Sequence, residues 1–261
     1  EVAGAEPDKV KFVLGSELYD KLGNEYWTTV LEIAKNTNLA RILRSITIAG
    51  RAEGETVSFA MLMYPPMQVA DIFAQQLNLA HGGMDQRKAH VLAREVFPKM
   101  GWKKPVAVHH HLLMGIAEPV KLETKDKLEQ VIASKMSKSK PWTAIFIHDT
   151  DKQIKEKLQK AWCPEKLVEM NPVLDIAKHI VFHESKIFKI ERPAKFGGTV
   201  EFENYNELEK VYAEGNLHPQ DLKNAVAGEI SKIINPIRRY FEADKQAKEH
   251  LETLKQAQVT R

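Results

Sequence analysis

The sequence holds a single cysteine, Cys163. A lone thiol cannot staple a fold or build a Cys-based zinc site, so the absence of a second points to a reducing, cytoplasmic setting. No apolar run approaches the roughly 18–20 residues needed to span a bilayer, which leaves no membrane partner to expect. Residues 1–9 are acidic and polar, unlike a secretion signal, and carry no initiating methionine. An excess of one charge is also missing: 38 Lys and Arg face 35 Asp and Glu. Composition alone therefore points to no nucleic acid, for which a clustered basic patch counts more than the total. Internal repeats and low-complexity tracts are absent too. What remains is a chain of 261 residues, 43% hydrophobic, long enough to bury the core of one large domain or two modest ones.

Hydrophobic spacing divides the chain. Residues 10–14 (VKFVL) read as a buried strand. Residues 26–34 and 39–48 place apolar side chains at helical spacing, with Arg41, Arg44 and Arg51 interleaved. After Tyr64-Pro65-Pro66 a helix is expected over 68–76. The short apolar run 77–80 stops at Gly82-Gly83, and a helix follows over 84–97. Residues 105–108 read as another strand, entering His109-His110-His111. Strand, glycine turn, helix is an α/β signal. From Asp149 the texture turns helical: 150–162, 165–182, 208–212, 221–240 and 243–261, with a strand at 200–202. The expected organisation is α/β over 1–147 and mainly helical over 148–261.

Two constellations carry chemistry. Lys135-Met136-Ser137-Lys138-Ser139 reads either as a mobile, solvated loop or as a phosphate-handling one. Two lysines among small residues can close on a triphosphate and meet the charge that develops as pyrophosphate leaves. The second runs Tyr64-x3-Gln68-x2-Asp71, then Gly82-Gly83-Met84-Asp85-Gln86-Arg87-Lys88. Gln68 and Asp71 share a helix face. Asp71 stands among Val69, Ala70, Ile72 and Phe73, where a carboxylate is costly without a partner. The alternative is a half-buried tyrosine beside surface polars. An acid beside a tyrosine and a glutamine suits a ligand with a hydroxyl at one end and an ammonium at the other. Gly82-Gly83 allows close backbone approach, and Asp85 and Gln86 stand at the positive end of the next helix. Adjacent histidines alternate faces in a strand, so His109-His110-His111 is not expected to chelate one metal, and Cys163 reads as a buried structural thiol.

The order Y-x3-Q-x2-D, GGMDQRK and KMSKS resembles the class I aminoacyl-tRNA synthetases, and within them the tyrosyl enzymes of the archaeal/eukaryotic branch. Arg192-Pro193-Ala194-Lys195-Phe196-Gly197-Gly198 and the run from Leu217 to Ala225 (LHPQDLKNA) are similar to that branch in the same order. The resemblance implies a Rossmann-like catalytic domain followed by a helical anticodon-binding domain. It implies that Tyr64 and Gln68 hold the α-amino group of tyrosine, that Asp71 accepts from its phenol, and that Gln86 contacts the amino-acid moiety. Gly83 and Asp85 would bind the ATP ribose, and Lys135 and Lys138 the phosphates. Phe196, His218 and Asp221 would read the anticodon, with Arg44 and Arg87 at the tRNA acceptor end. The implied partners are L-tyrosine, ATP with Mg²⁺, tRNA(Tyr) and a second copy of the chain, with no prosthetic group and no metal site.

The resemblance also has a gap. No early H-x-G-H type signature is found, and the tyrosine that usually joins Asp71 on the substrate hydroxyl would lie in the same missing part, roughly the first third of the family's sequence. The stretch between Met100 and Pro105 is short against the family. Two rivals follow: a tryptophanyl enzyme of the same architecture, and a non-catalytic tRNA-binding protein. Asp71 and the LHPQDLK run favour tyrosine over tryptophan.

Overall fold

The computed structural model describes residues 6–46, 58–121, 127–137 and 139–257. Arg51, Lys138 and the end of the expected 39–48 helix lie outside them. The chain divides into two compact units, one of Asp8–Leu112 and one that takes in the chain from Leu113 onward.

The first unit runs α1 (Gly15–Leu22), α2 (Asn24–Lys35), α3 (Leu39–Ser45), α4 (Phe59–Leu62), α5 (Tyr64–Ala74), β1 (Leu79–Gly83), α6 (Arg87–Val96) and β2 (Val106–His110). Helix α2 buries Tyr26, Val30 and Ile33, a stripe at helical spacing. Helix α5 opens with Pro65 and Pro66, where a missing N–H costs nothing, and buries Val69, Ala70 and Ile72. Those stripes close on Leu92, Ala93 and Val96 of α6 to form one core. Strands β1 and β2 pair in parallel from Leu79↔Val106 to Gly83↔His110. Helix α6 supplies the crossover that a parallel pair requires.

Residues 10–14 are not the buried strand that their composition favours. They are unpaired and exposed, with Phe12 at 90%. Strand formation needs a neighbour to bond with as well as β-branched residues, and no described strand pairs with this segment.

The second unit holds α7 (Lys127–Ser134), α8 (Asp151–Gln159) and α9 (Pro172–Ile176). A π-turn then leads into α10 (Phe182–Glu184), followed by the antiparallel pair β3 (Phe188–Ile190) and β4 (Val200–Phe202). Helices α11 (Tyr205–Glu214), α12 (Pro219–Ala243) and α13 (Lys245–Gln256) complete it. Its core gathers Ile154, Leu158, Leu174, Phe188, Leu208 and Val226 from most of these elements. Thr150 and Gln153 form a reciprocal capping box that fixes the start of α8. Buried Asp149 accepts from Lys157 Nζ at 2.6 Å, and Arg238 of α12 donates to the Asp149 carbonyl at 3.1 Å. Cys163 lies in this core with its sulfur 3.2 Å from the Tyr212 hydroxyl, and burial pushes its thiol pKa up. That disfavours the reactive thiolate and leaves the side chain a packing role.

Candidate active site

Helix α5 presents Asp71 toward two tyrosines from the preceding helices. The Tyr26 hydroxyl of α2 donates to Asp71 Oδ1 at 2.8 Å, and that of Tyr19 of α1 to Oδ2 at 3.4 Å. Tyr26 is wholly buried, and its ring lies 4.3 Å from that of Tyr19, centroid to centroid. Burial raises the Asp71 pKa, while the two tyrosine hydrogen bonds pull it back. Burial also drives the Tyr26 phenol far up, helped by Tyr19 and Asp71, so it stays a neutral donor. The carboxylate is therefore an acceptor in an apolar wall, shaped for hydroxyl hydrogens. Tyr19 and Tyr26 carry no motif in the sequence. Their only signal there is the helical stripe of which Tyr26 is a member.

On the same face of α5, Gln68 Nε2 donates to Gln86 Oε1 at 2.8 Å, joining α5 to the turn after β1. Gln68 Oε1 is buried without a hydrogen-bond partner. Tyr64, at the N-terminus of α5, is half exposed. Gln68 and Gln86 are thus joined, with Asp71 about one turn after Gln68 on α5 and Tyr64 one turn before it.

Gly83 ends β1. A Cβ there would lie 2.6 Å from both Asp85 Oδ1 and Leu112 Cδ2, so a larger residue would have to displace the ends of those two side chains. Asp85 is buried in the single turn Met84–Gln86, and Arg87 begins α6 with an exposed side chain. This is the carboxyl end of a parallel strand opening into a helix N-terminus, the place where open α/β sheets take ligands. The neighbouring histidines separate by face, as strand alternation requires. His109 lies 2.9 Å from His90 of α6, and His110 lies 3.2 Å from His81 of β1. Burial lowers the pKa of His90 and of His109, with His109 opposing protonation of His90 and Arg87 that of His109.

Arg44 stands exposed in the last turn of α3 and lines a cavity of about 390 Å³ with Lys35, Arg41 and Lys99. None of Tyr64, Gln68, Asp71 and Gln86 borders that cavity, and Arg41 in it is already paired with Glu95 at 2.7 Å.

In the second unit Lys135 follows α7, and the Ser137 and Ser139 hydroxyls face each other at 2.8 Å. Lys138 between them lies outside the described residues. Phe196 is exposed, with the Lys195 ammonium 4.8 Å from its ring centroid. Gly197 and Gly198, both in the left-handed region, turn the chain after it. Arg192 then donates to Gly198 O and to Asn216 O, both at 2.9 Å. One guanidinium thus ties the Phe196 turn to the residue two before His218. His218 caps α12, its Nδ1 accepting from Gln220 N at 3.1 Å, and Asp221 lies in the first turn. The capping role of His218 and the brace of Arg192 were not foreseen from the sequence.

The arrangement has relatives. Residues 2–235 match the family model described as tRNA synthetases class I (W and Y). Over its whole length the chain is 52% identical to the tyrosine–tRNA ligase of Thermococcus sibiricus, spanning 72% of that protein. A crystal structure of tyrosyl-tRNA synthetase from Pyrococcus horikoshii, complexed with L-tyrosine, superposes at a TM-score of 0.82 with 50% identity. That match covers 97% of this chain and 71% of the other. The tyrosyl-tRNA synthetase of Aeropyrum pernix superposes at 0.78 with 41% identity, covering 98% and 70%. With its motifs, its parallel-strand site and its full-length kinship to archaeal tyrosyl enzymes in agreement, this chain belongs to the class I tRNA synthetases of the tryptophan and tyrosine type.

Proposed function

We propose that the chain serves ATP-dependent ligation of L-tyrosine to tRNA(Tyr). In the first step a tyrosine carboxylate oxygen attacks the α-phosphorus of ATP, the bond to the β-phosphate breaks, and pyrophosphate leaves. In the second a hydroxyl of the terminal tRNA ribose attacks the tyrosyl carbonyl and AMP leaves. The observation that carries tyrosine is Asp71: a desolvated carboxylate already receiving phenolic hydrogens within an apolar helix face. A substrate phenol replaces the long bond from Tyr19. Gln68 Oε1, buried and unpaired, suits an ammonium hydrogen; an orphan acceptor of this kind costs about 1–3 kcal/mol until filled. Tyr64 and Gln86 complete the amino-acid contacts.

Gly83 and Asp85 take the ATP ribose, and Lys135 with Lys138 takes its phosphates, Mg²⁺ entering as the counter-ion of ATP. The protein supplies positioning and charge stabilisation rather than covalent chemistry. Phe196 stacks on an anticodon base while His218 and Asp221 read edges, the requirements of a single-stranded loop. Arg44 and Arg87 meet the acceptor end. In functional terms residues 1–147 serve catalysis and 148–261 tRNA, in a cytoplasmic homodimer. Among the described residues no helix is long and apolar enough to cross a membrane.

Calorimetric titration with tyrosine, phenylalanine and tryptophan tests the reading. Tyrosine alone binds tightly, and Asp71→Ala removes its advantage. Equal affinity for tryptophan would overturn the assignment.

A further inference from the structure

Lys135 faces Met114 in an isolated antiparallel bridge. The flanking bonds run from Gly115 N to Ser134 O at 2.7 Å and from Met136 N to Leu113 O at 2.9 Å. In that pattern Met114 and Lys135 exchange no backbone bond with each other, so the Met114 N–H points to the opposite side. In a wider sheet a further strand would accept it. Here a side chain does: Met114 N donates to Asp175 Oδ2 at 3.0 Å. Met114 is 3% exposed and the Asp175 side chain 12%, so water competes little for the bond.

Asp175 is well placed to act as an anchor. Its helix α9 is capped by buried Asn171, whose Oδ1 accepts from Val173 N and Leu174 N. Val173, Leu174 and Ile176 on either side of it are core residues. His179 Nε2 lies 3.7 Å away, one turn on.

The same short segment also holds the far end of the lysine loop, since Ile116 N donates to Thr143 O at 2.9 Å. Between the two grips sits Gly115. A Cβ there would lie 3.2 Å from Ser134 O, 3.4 Å from Thr143 O and 3.5 Å from Lys135 O. A Cβ there asks Ser134 O to give by a few tenths of an ångström, while Thr143 O and Lys135 O stay in ordinary contact, so it is the loop's entry that is closely fitted.

We infer that Asp175 is a positioning residue for the Lys135 loop. From a rigid helix it fixes the backbone segment 114–116, against which the loop's entry and exit are clamped. It touches no substrate and acts through Met114. The inference rests on the function proposed above only for what the loop does, not for how it is held. A loop that must open for ATP needs fixed ends if its lysines are to return to one place.

The test compares Asp175→Ala, Asp175→Asn and Asp175→Leu in the full chain. Limited trypsin digestion, followed by mass spectrometry, gives cleavage rates after Lys135 and Lys138, with the bond after Lys152 in α8 as reference. Loss of a hydrogen bond to a charged acceptor predicts loop cleavage faster by about tenfold or more in Asp175→Ala and Asp175→Leu, at an unchanged reference rate. Asp175→Asn keeps an acceptor oxygen and restores most of the protection. In tyrosine-dependent pyrophosphate exchange the same two variants lower kcat or raise KM for ATP while the tyrosine Kd holds. Wild-type loop cleavage in Asp175→Ala overturns the proposal. If Asp175→Ala is cut everywhere, Asp175→Leu, which keeps the side-chain volume and removes the acceptor, decides, and wild-type loop cleavage there overturns the proposal equally. Loop cleavage that changes as expected in a chain that binds no tyrosine supports the positioning role and counts against the proposed function.

Discussion

On the function proposed above, selectivity at Asp71 reduces to one pair of oxygen atoms. Their desolvation raises the carboxyl pKa, and hydroxyl donors are what make the position tolerable. Phenylalanine in the same pocket offers Oδ2 no hydrogen in place of the 3.4 Å bond from Tyr19 that the substrate phenol would replace. A site built to bond a phenol rejects the analogue lacking it by on the order of 10⁵, a figure measured for tyrosyl enzymes themselves and not obtained from this chain. Asp71→Ala should therefore compress the tyrosine-to-phenylalanine ratio of adenylation kcat/KM by several powers of ten. An unchanged ratio would remove Asp71 from the specificity site. The His90–His109 pair makes a different residue-scale prediction. Folded, both groups resist protonation, whereas in the unfolded chain each takes a proton near about pH 6.5. The unfolded state then binds more protons below that pH, so the pair's stability is present above about 6.5 and drains away as pH falls. Urea unfolding from pH 8 to 5 should show that decline, and His90→Gln should flatten it, with Arg87, His81 and His110 nearby left in place. An identical slope in the variant would assign the decline elsewhere.

At the scale of elements, the start of α12 carries a helix cap at the residue proposed above to face RNA. His218 caps the helix, so His218→Ala loses both a ring that can face RNA and a cap worth about 1 kcal/mol. His218→Asn keeps a capping oxygen and separates the two. We expect both His218 variants, and Asp221→Ala, to raise KM for tRNA with tyrosine activation untouched, and only His218→Ala to lower the melting temperature clearly. Normal tRNA kinetics in His218→Asn would leave the ring no part in recognition. Much of this element was legible in the sequence, because Gly215, Pro219 and a long apolar stripe mark a helix start. The helical half as a whole was readable for the same reason: its signals are local. Residues 10–14 were not, because a strand depends on a partner that can stand anywhere in the chain. Tyr26 was missed on similar grounds. Its bond to Asp71 spans a separation of 45 residues, and nothing adjacent to it marks it as polar machinery. The shared helix of Asp71 and Gln68 was legible because their spacing is local.

At the scale of the molecule, texture and contact draw different lines. The sequence changes character near Asp149, yet the second compact unit starts at Leu113. The segment after Leu113 has no helical pattern of its own; it is held by bonds to distant partners such as Thr143, Trp162 and Asp175. The first unit carries the opposite feature, a parallel pair with Leu79, Val106 and Val108 exposed. Parallel sheets are stable when both faces are covered, and two strands alone are marginal. The residues present also lack an H-x-G-H type signature, whose histidines, by the family resemblance, stabilise the transition state at the α-phosphate. Loss of one preorganised donor costs about 10²–10³ in rate. A polypeptide of these 261 residues should accordingly exchange pyrophosphate at least about a hundredfold more slowly than the Pyrococcus horikoshii enzyme, which is longer, under the same conditions. Its apolar strand faces should bind a hydrophobic dye and favour aggregation. Binding of tRNA(Tyr) through Phe196, His218 and Asp221 should survive, weakening steeply as salt rises. Measured side by side, equal exchange rates would show that the Asp71, Gly83 and Lys135 elements suffice for adenylate formation and that the histidine signature is dispensable to it.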